Sequence, residues 1–165
     1  MTSSPLAKLH YFAGRGRAET TRWMLAATQV PFENAPLDSP RALAALRATG
    51  KLPFDQIPLL EIDGLCLSQS TAMIRYLARR SDLYGDNKTD ALWCDMIAGA
   101  ASDFAETAMQ AAFMPSHDQA MSALHDRVQK FGPKFEARLR DNGSQFVSGA
   151  RLTFADVVLA QATSA

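Results

Sequence analysis

The sequence is short of the features that would settle a function at once. It has no charge surplus, since seventeen Lys and Arg balance seventeen Asp and Glu. That argues against a nucleic-acid or membrane-surface binder, because both draw on excess positive charge. Only two cysteines occur, Cys66 and Cys94, far apart and in no C-x-x-C. Such sparse cysteine implies no disulfide framework and reads as reduced thiols in the cytosol. No apolar run approaches the roughly 20 residues of a membrane span, and MTSSPLAK carries no apolar signal core. A soluble cytoplasmic protein is expected. His10, His117 and His125 have no ligand spacing with either cysteine, so no metal is expected. His10 reads as a strand residue facing a neighbour, and the other two as solvated helix positions. No G-x-S-x-G nucleophile elbow is present.

Hydrophobic residues, at 47% of the 165, supply a packed core. LAKLHYF (6–12) reads as a short strand, Gly14 and Gly16 as a turn, and 17–28 as a helix with Thr20, Trp23 and Ala27 along one side. VPFENAPL (30–37) reads as an edge strand bounded by prolines. Residues 39–48 read as a helix with Ser39 as N-cap, Pro40 at the first position and Gly50 past the end. PLLEI and LCL flank Asp63-Gly64, a strong hairpin signal. Helical spacing returns over 69–80, with Met73, Tyr76 and Leu77 on one face and Arg79 and Arg80 at the carbonyl end.

The first part therefore runs β-α-β-α-β-β-α. It is assigned to residues 1–82, followed by a polar linker at 83–89 and an all-helical part over 90–165. In the helical part Trp93, Ile97, Ala101 and Phe104 form one apolar stripe. Met121, Leu124, Val128, Phe131, Phe135 and Leu139 form another. Asn142-Gly143 breaks the chain before a last helix. There Thr153 and Asp156 make a capping-box variant, with Leu152 and Val157 as a hydrophobic staple.

Several stretches could carry chemistry. The turn GRGRAE offers half of a dinucleotide fingerprint, but Glu19 occupies the place of the third glycine, which disfavours a pyrophosphate. Tyr11 at a strand end reads either as a core ring with its hydroxyl at the rim or as a phenol donating to an anion. Ile57-Pro58 precedes a strand and reads either as a rigid turn or as a cis bond that turns the Ile57 backbone toward an extended peptide. Gln69-Ser70 opens a helix, where a serine serves either as a cap or as part of a carboxylate site.

Taken in order, Tyr11, Arg17, Arg47, Gln56-Ile57-Pro58, Glu61-Ile62-Asp63-Gly64 and Gln69-Ser70, then a polar linker and a helical half, resemble the cytosolic glutathione S-transferases. YFAGRGRAETTRWMLA and LPFDQIPLLEIDGLCLSQSTAMIRYLA are similar to the tyrosine-type classes, nearest alpha and sigma, and the likeness runs over roughly residues 6 to 165.

The resemblance implies a thioredoxin-like domain that binds the tripeptide glutathione as co-substrate, followed by an all-α domain. Tyr11 would donate to the sulfur, with Arg17 nearby favouring thiolate. Ile57, beside a cis Pro58, would pair with the cysteinyl backbone. Gln69 and Ser70 would hold the γ-glutamyl carboxylate, Arg47 and Gln56 would approach the glycyl end, and Asp103 would reach across a homodimer to the γ-glutamyl amine. Phe54 would plug a pocket of the partner subunit. The implied activity is conjugation of glutathione to hydrophobic electrophiles, or peroxide reduction. A sigma-like prostaglandin-type isomerase and a non-catalytic structural or interaction module are the alternatives. Family chains are usually longer, so a fragment or a short member is expected, with the acceptor site less covered. Lys130 stands where the family carries a cross-subunit arginine, which keeps the charge and loses the planar fork.

Overall fold

A computed structural model describes residues 6–164. The chain divides into two compact units, one ending at Leu77 and the other beginning at Ala78.

The first unit is built on a four-stranded mixed sheet of the thioredoxin-like kind. Strand β1 (Ala7–Tyr11) leads through a single 3-10 turn (Gly16–Ala18) into helix α1 (Glu19–Ala27), then β2 (Phe32–Pro36) and helix α2 (Pro40–Ala48). Strands β3 (Leu59–Ile62) and β4 (Leu65–Ser68) follow, and helix α3 (Ser70–Arg80) runs across the boundary between the units. The strand order is β2-β1-β3-β4, with β1 parallel to β2 and the other neighbours antiparallel. Placing β2 at the rim agrees with its exposed, proline-ended sequence. At α2 the Ser39 hydroxyl accepts from the Ala42 N–H at 3.2 Å, and Pro40 opens the helix. Between β3 and β4, Asp63 (φ 51°) and Gly64 (φ 76°) both take positive φ, as a two-residue type I′ hairpin demands.

Alternate strand residues face opposite sides of the sheet. Leu59 joins Leu37, Leu46 and Leu52 in a core cluster beneath α2. Leu9 and Leu60 are fully buried on the opposite face. The Thr21 hydroxyl of α1 reaches Met73 Sδ of α3 at 3.7 Å, which brings those two helices together.

The buried side of α1 differs from the expected one. It carries Thr21, Met24 and Leu25, whereas Trp23 is exposed and its indole N–H donates to Glu19 Oε1 at 3.3 Å. Both sets of positions are spaced for a helix. The indole has a donor to satisfy and finds its partner on the surface, so the smaller side chains of Thr21, Met24 and Leu25 take the core, the Thr21 hydroxyl reaching Met73 Sδ.

The second unit holds α4 (Lys88–Ala111), α5 (His117–Asn142) and α6 (Phe154–Thr163). Asn87 caps α4, its Oδ1 accepting from the Thr89 and Asp90 N–H groups at 2.9 and 3.0 Å. Gly143, at φ 67°, ends α5 in the left-handed conformation common after helices. Phe104, Phe131 and Phe135 pack with centroids about 6 Å apart. Of the expected α5 stripe, Phe135 is buried, while Met121 and Val128 remain half exposed. Periodicity identifies a face of a helix but not how far a neighbour covers it. At α6, Asp156 Oδ2 accepts from both the Thr153 N–H and its hydroxyl, at 2.8 and 2.7 Å, and Oδ1 accepts from the Val147 N–H at 2.8 Å. Cys94 is fully buried, and burial pushes its thiol up. Among the described residues no helix is long and apolar enough to cross a membrane.

Candidate active site

Arg22 ties down the turn after β1. Arg22 of α1 donates through Nη1 to the Gly14 carbonyl at 2.9 Å and the Arg15 carbonyl at 3.4 Å. Its Nε donates to Asn34 Oδ1 of β2 at 2.9 Å, and Glu19 Oε2 sits 2.8 Å from Nη1. The 3-10 turn then presents the Arg17 backbone N–H, which donates to the Tyr11 hydroxyl oxygen at 3.1 Å. The phenol lies so close to Gly16 (φ +43°) that a Cβ there would sit 2.6 Å from the hydroxyl oxygen.

A second group assembles around the start of β3. Arg47, in the last turn of α2, donates through Nε and Nη2 to the Asp55 carbonyl at 3.2 and 3.1 Å. The next residue, Gln56, accepts from Gln69 Nε2 at 3.2 Å. The Ile57–Pro58 bond is cis. Leu59 pairs with Ser68, so Pro58 and Gln69 flank the same rung of the sheet. His10 pairs with Leu59 in the β1–β3 register, which sets Tyr11 one step further on, beside Pro58. Tyr11, Gln56, Ile57, Pro58, Gln69 and Ser70 therefore gather at one end of the sheet.

Gln69 turns the corner from β4 into α3 at φ 68°, and its carbonyl accepts from the Ala72 and Met73 N–H groups at 2.9 and 3.1 Å. Ser68 does not cap this helix, since its buried hydroxyl has no hydrogen-bond partner among the described residues. Ser70 is the first helical residue, at the positive end of the α3 dipole where a carboxylate is favoured.

Two further expected residues lie elsewhere along the chain. Phe54 is 64% exposed in the segment between α2 and β3. Asp103 lies on α4 in the helical unit, where its carbonyl accepts from Arg127 Nε at 3.1 Å. Lys130 Nζ stands 5.4 Å above the Phe131 ring.

An open cleft of about 390 Å³ runs along the other side of Tyr11. It is lined by Tyr11, Phe12, Ala13, Arg22, Asn34 and Pro36 among others, and by none of Arg47, Gln56, Ile57, Gln69 or Ser70. Elsewhere in the first unit Glu61 receives Lys51 Nζ at 2.5 Å on one oxygen, and His10 Nε2 lies 2.7 Å from the other. The Lys51 hydrogen bond holds the Glu61 carboxyl below the ordinary carboxylate range, and the same bond raises the Lys51 ammonium. Among the described residues no group of three or more acidic, histidine or cysteine side chains is placed to hold a metal ion.

Comparison with known proteins places the chain in a family. The model of the glutathione S-transferase N-terminal domain matches residues 7–79, and that of the C-terminal domain matches residues 102–165. The chain belongs to the glutathione S-transferase family. Glutathione S-transferase alpha-1 of Rattus norvegicus is 39% identical over 162 residues, covering 96% of this chain and 72% of the rat protein. The glutathione S-transferase of Ascaris lumbricoides matches in structure with a TM-score of 0.82 and 31% identity, over 97% of this chain and 80% of that one. Prostaglandin synthase D of Nilaparvata lugens matches with a TM-score of 0.79 and 27% identity, over 97% of this chain and 80% of that one.

Within this glutathione S-transferase, sequence reasoning missed Gly16 as the residue packed against the phenol and Arg22 as the clamp on its turn. Gly16 was legible only as a turn signal, and nothing in the Arg22 spacing marks it as a clamp.

Proposed function

We propose that this chain is a cytosolic glutathione transferase that keeps the bound tripeptide as a thiolate. The observation that carries the reading is the Tyr11 hydroxyl, whose oxygen already accepts the Arg17 N–H at 3.1 Å. With that acceptor position filled, its own proton is available for donation to a neighbouring anion. A free thiol has a pKa of about 8.5 and is mostly protonated at neutral pH. Donation from Tyr11 to the sulfur favours the charged form, with the Arg17 charge adding to it. The thiolate forms a C–S bond to an electrophilic carbon while the leaving group departs with its electron pair, and the thiol proton passes to water.

The tripeptide is assigned to the residues gathered at the end of the sheet. Ile57, next to Pro58, pairs with the cysteinyl backbone. Gln69 and Ser70 take the γ-glutamyl carboxylate at the start of α3. Arg47 and Gln56 face the glycyl end. Asp103 is assigned to the tripeptide amine of a partner subunit, and Phe54 to the interface of a homodimer. The cleft beside Phe12, largely apolar and sharing only Tyr11 with this set, suits a hydrophobic electrophile. The likeness to a prostaglandin synthase supports a second reading, isomerisation by the same thiolate.

Calorimetric titration with glutathione, paired with conjugation kinetics of Tyr11→Phe, tests the proposal. Binding by both proteins with conjugation lost in the variant supports it, and an absence of glutathione binding overturns it.

A further inference from the structure

We propose that Gly16 is a positioning residue for the sulfur chemistry, and that the missing side chain at 16 is what lets the Tyr11 hydroxyl reach the amide of Arg17. The inference rests on the role given to Tyr11 above and adds the means by which that phenol is held.

Three observations meet at this point. Gly16 sits at φ +43°, and a Cβ there would lie 2.6 Å from the phenol oxygen and 3.1 and 3.3 Å from two ring carbons. Contacts under 3 Å between carbon and oxygen are repulsive, so any side chain at 16 must move the ring or the turn. The turn is not free to yield, because Arg22 ties the two carbonyls just before Gly16 and is itself fixed to Asn34 and Glu19. The ring is therefore what moves. The amide that would be lost is that of the adjacent residue, Arg17, 3.1 Å from the phenol oxygen.

Gly16 thus acts on the sulfur through the phenol. The Arg17 N–H occupies one acceptor position of the Tyr11 oxygen and so fixes the direction in which its proton is offered. A ring pushed away by a Cβ loses both the anchor and the aim, and a misplacement of about 1 Å at a reacting group costs on the order of a hundredfold in rate. The other glycine of the turn makes a useful contrast. A Cβ on Gly14 would meet no atom within 4 Å.

The test is a cycle of Gly16→Ala, Tyr11→Phe and the double variant, measuring kcat for conjugation, glutathione affinity by calorimetry, and the pH dependence of the ultraviolet absorbance of bound thiolate. Gly16→Asn accompanies the alanine variant because asparagine tolerates positive φ better, and it carries the test if alanine at 16 prevents folding. The expected result is a kcat about tenfold to a hundredfold lower for the position-16 variants. Glutathione affinity stays near that of the parent, and the thiolate signal appears at higher pH. On the Tyr11→Phe background the same changes at 16 cost nothing further in kcat. A parental kcat for both position-16 variants overturns the inference, and so does an equal loss with and without the Tyr11 hydroxyl. Loss in Tyr11→Phe without loss at position 16 overturns this inference alone. A parental kcat in Tyr11→Phe overturns the functional reading itself.

Discussion

Tyr11 and the turn behind it carry the first prediction. Tyr11→Phe removes one preorganised donor aimed at the developing charge, so kcat for conjugation falls about a hundredfold, while calorimetry finds glutathione affinity little changed. Glu61 carries the second. Its carboxyl is lowered by Lys51, so its contribution to stability is present above the unfolded pKa of about 4.3 and is lost as pH falls through the lower folded value. Lys51 is raised by the same bond, so its share is present below its unfolded pKa and is lost as pH rises through the folded one. Urea titrations of Glu61→Gln should give a stability lower by about 1 kcal/mol at neutral pH and a flatter acid limb. The thiols carry the third. Cys94 is fully buried with its thiol pushed up, whereas Cys66 is half-buried. A thiol reagent should label Cys66 first in the native protein and both cysteines in denaturant. At this scale the sequence was legible where chemistry is local. Asp63-Gly64 states its own turn. The meeting of Tyr11 with Gly16 depends on a backbone angle and a side-chain direction, and no pattern of residues encodes either.

Elements were more legible than their faces. In the first unit the strands and helices lie within a few residues of the expected segments, because a cap such as Ser39 marks a boundary by the backbone group it satisfies, and the stop at Gly143 does the same for the end of α5. The buried side of α1, Thr21-Met24-Leu25, lies one residue along from Thr20-Trp23-Ala27, because both sets are spaced for a helix. The α5 stripe from Met121 to Leu139 is buried at Phe135, whereas Met121 and Val128 in its first half are half exposed. Helix α6 supplies the prediction proper to this scale. Asp156 answers three donors around Thr153 and Val147. Asp156→Ala leaves them without partners in a largely buried region, a loss of about 2 to 3 kcal/mol in denaturant unfolding. Asp156→Asn, which keeps one acceptor oxygen, should lose less.

For the whole molecule, the order of motifs along the chain carried more than any one of them. Tyr11, Ile57-Pro58 and Gln69-Ser70 each have an ordinary local explanation, and only their succession pointed to one family. The sheet register explains why they belong together, since the pairings of His10 and Ser68 with Leu59 bring the three to one end. Assembly is tested through Phe54, whose ring is 64% exposed on the single chain. Phe54→Ala should shift sedimentation from dimer toward monomer, and an unchanged profile would remove the ring from the interface.

The outer strand β2 has a bearing on life at high concentration. Phe32-Glu33-Asn34-Ala35-Pro36 forms one rim of the sheet, and a rim is where a stray chain can dock and seed a fibril. Here an intruder meets a carboxylate at Glu33 and no amide proton at Pro36, so one rung of any added ladder is missing. Crowded solutions of the folded protein should stay clear along this border, and Pro36→Val is the change most apt to cloud them.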